Sequence, residues 1–582
     1  MPAVIRLFSL LLALLFAASA VLAQAQPADD PDDDDEEEAP QVAPAPPAPR
    51  AKLPAIELTE PILYELLFAE IALQRGSAGL AAQTYAELAQ RTKDPRIARR
   101  AVEVANFART PQYALEAARV WYEADPESLQ ALQTLAGLLV GARQVDDAEP
   151  YLSKLLASDS GAAANGFLQL GRLFSGNPDK AANLRVVRKL AAKYPDLPQA
   201  HLAVAQAALA ADDEKAALAE TRRAAQLQPG WEAAAIFEAQ ILQRRSPQEA
   251  SAALGAFLAK YPDAREARLA HARALVGERK FVEARAEFET LLAAYPNNAD
   301  VVYAVALLAA QLKDYPTAEK NLRRLLDMGF RDPNGVRFTL GQIAEEQKQW
   351  QAAIDWYQAI PSGGQYLAAR MRVASVMAKQ GKLEEARAYL RNVNVDGEER
   401  VQLLIAEAQL LREANQNREA FDLLGKALEA QPDQPELLYD HALTAEKLER
   451  FDVLEGNLRK LIQMKPDHAH AHNALGYSFA DRNMRLPEAR KLIERALELS
   501  PEDYYIIDSL GWVLYRQGDL KGAATQLRRA YVGRPDGEIG AHLGEVLWMM
   551  GERAEAGRIW DESLKNHPDN ETLQNTVKRL RR

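Results

Sequence analysis

One pattern limits this chain more than any other: from residue 55 onward it repeats itself about every 34 residues. An alanine returns at Ala114, Ala148, Ala217, Ala250, Ala284, Ala318, Ala353, Ala386, Ala420, Ala489, Ala523 and Ala556, with Asn183 and Leu454 standing where the register calls for one more. A dozen or so residues before most of these lies another small residue, as at Ala272, Ala306, Gly341, Gly476, Gly511 and Gly544. A similar distance after most of them lies a proline, as at Pro262, Pro296, Pro466, Pro501, Pro535 and Pro568. Two antiparallel helices approach closely only where side chains are small, which accounts for the Ala and Gly. Larger apolar residues three or four places on fill the space beside the crossing, as in Ala284/Phe288/Leu291 and Ala353/Tyr357/Ile360. Proline cannot continue a helix, so it closes each unit and opens the next. Short polar turns such as Gly277-Glu278, Gly381-Lys382 and Gly518-Asp519 separate the two helices of a pair. With 582 residues, too many for a single compact core, the chain is expected to be an all-α solenoid.

The best copies are Leu510-Gly511, Leu514, Ala523, Leu527, Ala530, Pro535 and Leu543-Gly544, Leu547, Ala556, Trp560, Pro568. This pattern resembles the tetratricopeptide repeat, a helix-turn-helix unit that stacks into a superhelix. About fifteen units are expected over residues 55–568, with degenerate copies at the start and around 165–195 and 233–262. Residues 569–582 read as a short polar capping helix. The blocks Asn473–Arg482, Asp508–Tyr515 and Ala541–Trp548 carry a narrower resemblance, to repeat proteins of the proteobacterial envelope, mostly outer-membrane lipoproteins. That resemblance implies an adaptor that presents substrates to a periplasmic carboxyl-terminal-processing protease. The chain departs from those relatives in having no cysteine, so lipid attachment at a lipobox Cys is not expected.

The first 54 residues follow other rules. Residues 1–23 read as a secretory signal peptide: Arg6, an apolar run from Leu7 to Leu22 broken by Ser9 and Ser19, then small residues for cleavage after Ala23 or Ala25. Residues 24–54 hold the run Asp32 to Glu38, which repels itself, and a Pro/Ala stretch that favours extended backbone, so a disordered linker is expected. The expected destination is the periplasm, the periphery of the outer membrane included. The acidic run also explains the net charge of −12: nine acidic residues lie between Asp29 and Glu38, leaving 69 basic against 73 acidic residues from residue 39 on. A body so balanced offers no cationic surface for phosphates, so nucleic acid is not an expected partner.

Catalytic signatures are absent from the sequence. It contains no H-E-x-x-H, G-x-S-x-G, G-x-x-x-x-G-K-[ST] or G-x-G-x-x-G, and no cofactor is expected. The expected role is therefore non-enzymatic. His468, His470 and His472 form one metal-like cluster, but only His468 and His472 share a helical face, and decoration of a helix start is the favoured reading.

Tyrosine and tryptophan concentrate late in the chain. In repeats of this kind the first helices line the concave groove. The register places Tyr439, Tyr477, Tyr505, Asp508, Trp512, Tyr515 and Trp548 there. Such rings bury large areas at small entropic cost, so residues 436–549 are the candidate protein- or peptide-binding groove. Some repeat proteins grip a terminal carboxylate with Lys and Asn at the positions held here by Asn473/Tyr477 and Asp508/Trp512, and that mode is not supported. The expected function is a binding scaffold of the cell envelope, the alternative being a scaffold for polysaccharide export or outer-membrane assembly.

Overall fold

The structure, a computed structural model, describes residues 56–158 and 161–581. The leader expected at 1–23 and the linker expected at 24–54 lie outside the described residues. The chain divides into two compact units, one ending at Met328 and the other beginning at Gly329. The described residues hold 31 helices and no strand. Within each unit the helices pack mainly on the next helix and the next but one, the contact pattern of a solenoid.

A pair from the first unit shows why these residues form this unit. Helix Arg265–Gly277 ends at a left-handed Arg279 (φ 60°), whose amide bonds back to the Val276 carbonyl at 3.0 Å. The next amide, of Lys280, reaches the Leu275 carbonyl at 2.9 Å, so the carbonyls left over at the helix end are paired. Helix Phe281–Ala294 then starts at once and runs back, burying Ala284, Phe288 and Leu291. The same left-handed turn recurs between paired helices at Arg143, Asp212, Lys313, Lys348, Asn415 and Glu449, and as glycine at Gly381, Gly518 and Gly551. Several second helices are capped by an aspartate: Asp213 accepts from the Ala216 amide, Asp314 from Thr317 and Asp519 from Gly522.

The small residues mark the crossings. Ala284, Ala318 and Ala353 are wholly buried. In the second unit a Cβ at Gly476 would sit 2.7 Å from Ile493 and 2.9 Å from the Ala489 carbonyl oxygen. At Gly511 it would meet Leu527 at 2.5 Å. Asn183, which breaks the alanine series, has its own buried role. Its carboxamide oxygen accepts from Asn177 Nδ2 at 2.7 Å, and its nitrogen donates to the Phe174 carbonyl at 3.3 Å. Two amides thus tie the end of helix Ala162–Phe174 to helix Lys180–Ala191 where an alanine would only have packed. The last helix, Glu571–Leu580, is capped by Asn570 and buries Leu573 and Thr576.

Candidate protein-binding face of the second unit

The candidate residues all belong to the first helices of successive pairs: Pro435–Lys447, Ala469–Asp481, Tyr504–Arg516 and Gly537–Met549. Side chains from the last three converge. Asp508, 5% exposed, faces His542 on the following first helix, with Nδ1 at 3.1 and 2.9 Å from its two carboxylate oxygens. The His542 ring stacks on Trp512, with centroids 4.1 Å apart, and lies 6.1 Å from Tyr477. Tyr477 reaches past the intervening first helix and donates to Glu538 Oε1 at 3.2 Å. Tyr515 donates to Glu545 Oε1 at 3.1 Å, and Arg579 closes on the other oxygen at 2.5 Å. Three first helices are thereby tied through one polar and aromatic layer.

Electrostatics follow from this crowding. Burial by itself would push the His542 imidazole down. The charge of Asp508 and the hydrogen bond to it, reinforced by Glu538 and Asp481, outweigh that and hold it above its usual value. Burial, with Glu538, Asp481 and Asp508 nearby, drives the Tyr477 phenol well above its ordinary range. Tyr439 and Tyr515 are each pushed up to about 12, by burial first and then by neighbouring carboxylates. These phenols stay protonated at neutral pH, and those of Tyr477 and Tyr515 keep donating to Glu538 and Glu545. The indole Nε1 of Trp512 is buried without a hydrogen-bond partner.

The expected groove residues thus occupy distinct places. Asp508 and Trp512 are buried and form the backing of the face. Tyr477, Tyr515 and Tyr439 are half-buried, with Tyr439 beside His468 at 5.5 Å between ring centroids. Tyr505 is exposed and takes the Arg534 guanidinium over its ring at 4.6 Å. Trp548 is half-buried and leans on Trp560, 5.5 Å away, in the paired second helix, with Arg553 over its ring. Sequence reasoning missed His542, Glu538 and Glu545, which complete the layer. The available signal was an acid and a base at neighbouring register positions of successive first helices.

The three histidines near residue 470 do not converge. His468 caps its helix by accepting from the Ala471 amide at 3.1 Å, and Nε2 of His472 turns to the Pro466 carbonyl. Among the described residues no three metal-binding side chains come together.

The TPR repeat-containing protein PA4667 of Pseudomonas aeruginosa is 34% identical over 528 residues, covering 90% of this chain and 88% of its own length. The chain belongs to the tetratricopeptide-repeat family. The tetratricopeptide repeat model matches residues 242–299, 269–329, 303–368 and 439–504. Solved tetratricopeptide structures align more distantly. A repeat protein from Parabacteroides merdae is 14% identical with a TM-score of 0.34, covering 43% of this chain and 99% of its own. The protein TTC0263 of Thermus thermophilus is 22% identical with a TM-score of 0.29, covering 31% and 97%. Tetratricopeptide repeats mediate protein–protein interactions and are generally scaffolds rather than catalysts. The layer's polar groups are spent on one another, so it fixes the first helices, while the exposed ring of Tyr505 stands at the surface.

Proposed function

We propose that this protein is an exported tetratricopeptide scaffold of the cell envelope, working in the periplasm as an adaptor that presents substrates to a processing protease. One observation carries the binding role. Rings from successive first helices reach the surface of one face, while Asp508, His542 and Trp512 form a buried layer behind them. Anchors held in place before binding lose little entropy on binding, which is what a docking face needs. The leader at residues 1–23 supports export. The resemblance of the blocks 473–482, 508–515 and 541–548 supports the adaptor role.

The test is affinity capture of the whole chain from the envelope of its own cell, compared with a Tyr439→Ala, Tyr505→Ala double variant. Tyr439 packs partly on the core, so the variant is used at a temperature where its circular dichroism matches the parent's. The expected result is a processing protease or its substrates on the parent, with at least one partner lost from the variant. An unchanged partner set would refute the face. Capture of a polysaccharide-export complex without a protease would replace the adaptor role.

A further inference from the structure

Among the described residues nothing covers a large apolar surface of the first described helix. Helix Glu60–Gln74 packs on helix Ala78–Thr92, and among the described residues no helix precedes it. Leu63, Tyr64, Leu67, Phe68 and Ile71 are 44, 67, 55, 39 and 49% exposed. Spacings of three and four put them on one stripe. Leu58, just ahead of the helix, adds to it at 63% exposed. Tyr64 and Phe68 stack on each other with centroids 6.3 Å apart, so part of the stripe is already ordered.

Charge narrows what can cover it. The helix carries three carboxylates and no basic residue. Glu65 is paired with Arg91. Glu70 accepts from the Tyr85 hydroxyl at 2.7 Å and from Arg100 Nε at 2.9 Å. Both acids are therefore committed to neighbouring helices. The stripe has no cation for an anionic membrane surface and no charge to match against a charged partner. Glu60 stands at the helix start, so two such helices laid antiparallel hold these carboxylates at opposite ends.

We propose that this face docks against the same face of a second copy, giving a two-fold dimer through helix Glu60–Gln74. The six side chains expose on the order of 600 Å², which doubled across a two-fold reaches the about 1,200 Å² at which stable interfaces begin. A head-to-tail stack finds no apolar match on the last described helix. Helix Glu571–Leu580 shows solvent Glu571, Thr572, Asn575, Lys578 and Arg579. A closed pair fits both the charge pattern and the area, and in it each residue near the axis meets its own copy. The rival cover is the apolar run Leu7–Leu22 of the same chain.

The test uses the full chain, purified as its cell leaves it, in sedimentation velocity at micromolar to tens of micromolar concentration. The parent is expected as a dimer. Leu63→Glu with Leu67→Glu is expected to give a monomer with the parent's helical circular dichroism. The chain has no cysteine, so Leu67→Cys alone reports the axis under mild oxidation. It is expected to link into a covalent dimer about tenfold or more faster than Val532→Cys, an 83% exposed site in the second unit, because dimerisation raises the local thiol concentration. A monomeric parent, whether its face is covered by its own leader or by nothing, would overturn the proposal. So would equal linking rates at the two positions. The outcome is independent of the adaptor role, since it needs no captured partner.

Discussion

Gly544 has no room for a side chain: a Cβ there would stand 2.0 Å from Nε1 of Trp560, itself wholly buried. An alanine must push a rigid indole out of a filled site rather than bend a flexible chain. Gly544→Ala is therefore expected to cost about 2–3 kcal/mol, read as a lowered urea midpoint of the second unit. Gly79→Ala, in a helix of the first unit where a Cβ meets nothing within 4 Å, is the control and is expected to be neutral or mildly stabilising. This part of the molecule was legible in the sequence. The position of each small residue in the period states that a neighbour presses on it, and the burial of Ala284, Ala318 and Ala353 agrees. The residue that presses on Gly544 was legible too, since Trp560 follows Ala556 by four as Phe288 follows Ala284 and Tyr357 follows Ala353; how closely its indole approaches was not.

At the scale of the element, two histidines of the second unit respond to pH in opposite senses. His441, on helix Pro435–Lys447, lies against Phe421 and accepts at Nδ1 from Asn457 Nδ2 at 2.9 Å. Burial first, and then the charge of Arg450, push it down to about 4. The folded state favours the neutral ring, so its contribution is present above the unfolded value near 6.5 and is lost as pH falls from there toward 4. That loss amounts to about 2–3 kcal/mol over the window. His542 is raised, so its contribution is complete below about 6.5 and is lost as pH climbs through its higher folded value. Thermal midpoints measured across pH are expected to fall on both sides for the parent. His441→Gln is expected to flatten the acid side alone, and His542→Gln the alkaline side alone. A variant that flattened the other side would show that its histidine does not sit in the surroundings described. The aromatic rings of this face could be placed from their register. For Asp508 and His542 the 34-residue separation puts an acid and a base at neighbouring register positions of successive first helices, but whether the two side chains meet depends on how those helices pack.

At the scale of the whole molecule, the division at Met328 and Gly329 has a spectroscopic consequence. Of the seven tryptophans, Trp350, Trp356, Trp512, Trp548 and Trp560 lie in the second unit and Trp121 and Trp231 in the first. Helices are spread over both. Repeat stacks whose contacts are local lose all-or-none behaviour as they lengthen. In a urea titration the tryptophan emission is therefore expected to report mainly the second unit, and the far-ultraviolet circular dichroism both. The two curves are expected to separate. Superimposed curves would mean that the chain unfolds as one cooperative body.

The sequence by itself determined the secondary structure, the helix-turn-helix unit, its period and its small crossing residues. These depend on interactions within one or two turns of helix or between helices joined by a short turn. A period repeated so often averages out local exceptions such as Asn183. Only the tertiary structure decided which rings of the candidate face are its backing and which reach solvent. It decided that Tyr477 clasps Glu538 over an intervening helix, and that among the described residues nothing lies over the stripe from Leu63 to Ile71. It also divided into two units a chain whose repeat reads as one array. The placing of the rings and the Tyr477 clasp depend on how far each pair turns relative to the last. That rotation is the sum of many small packing choices, and no single repeat records it.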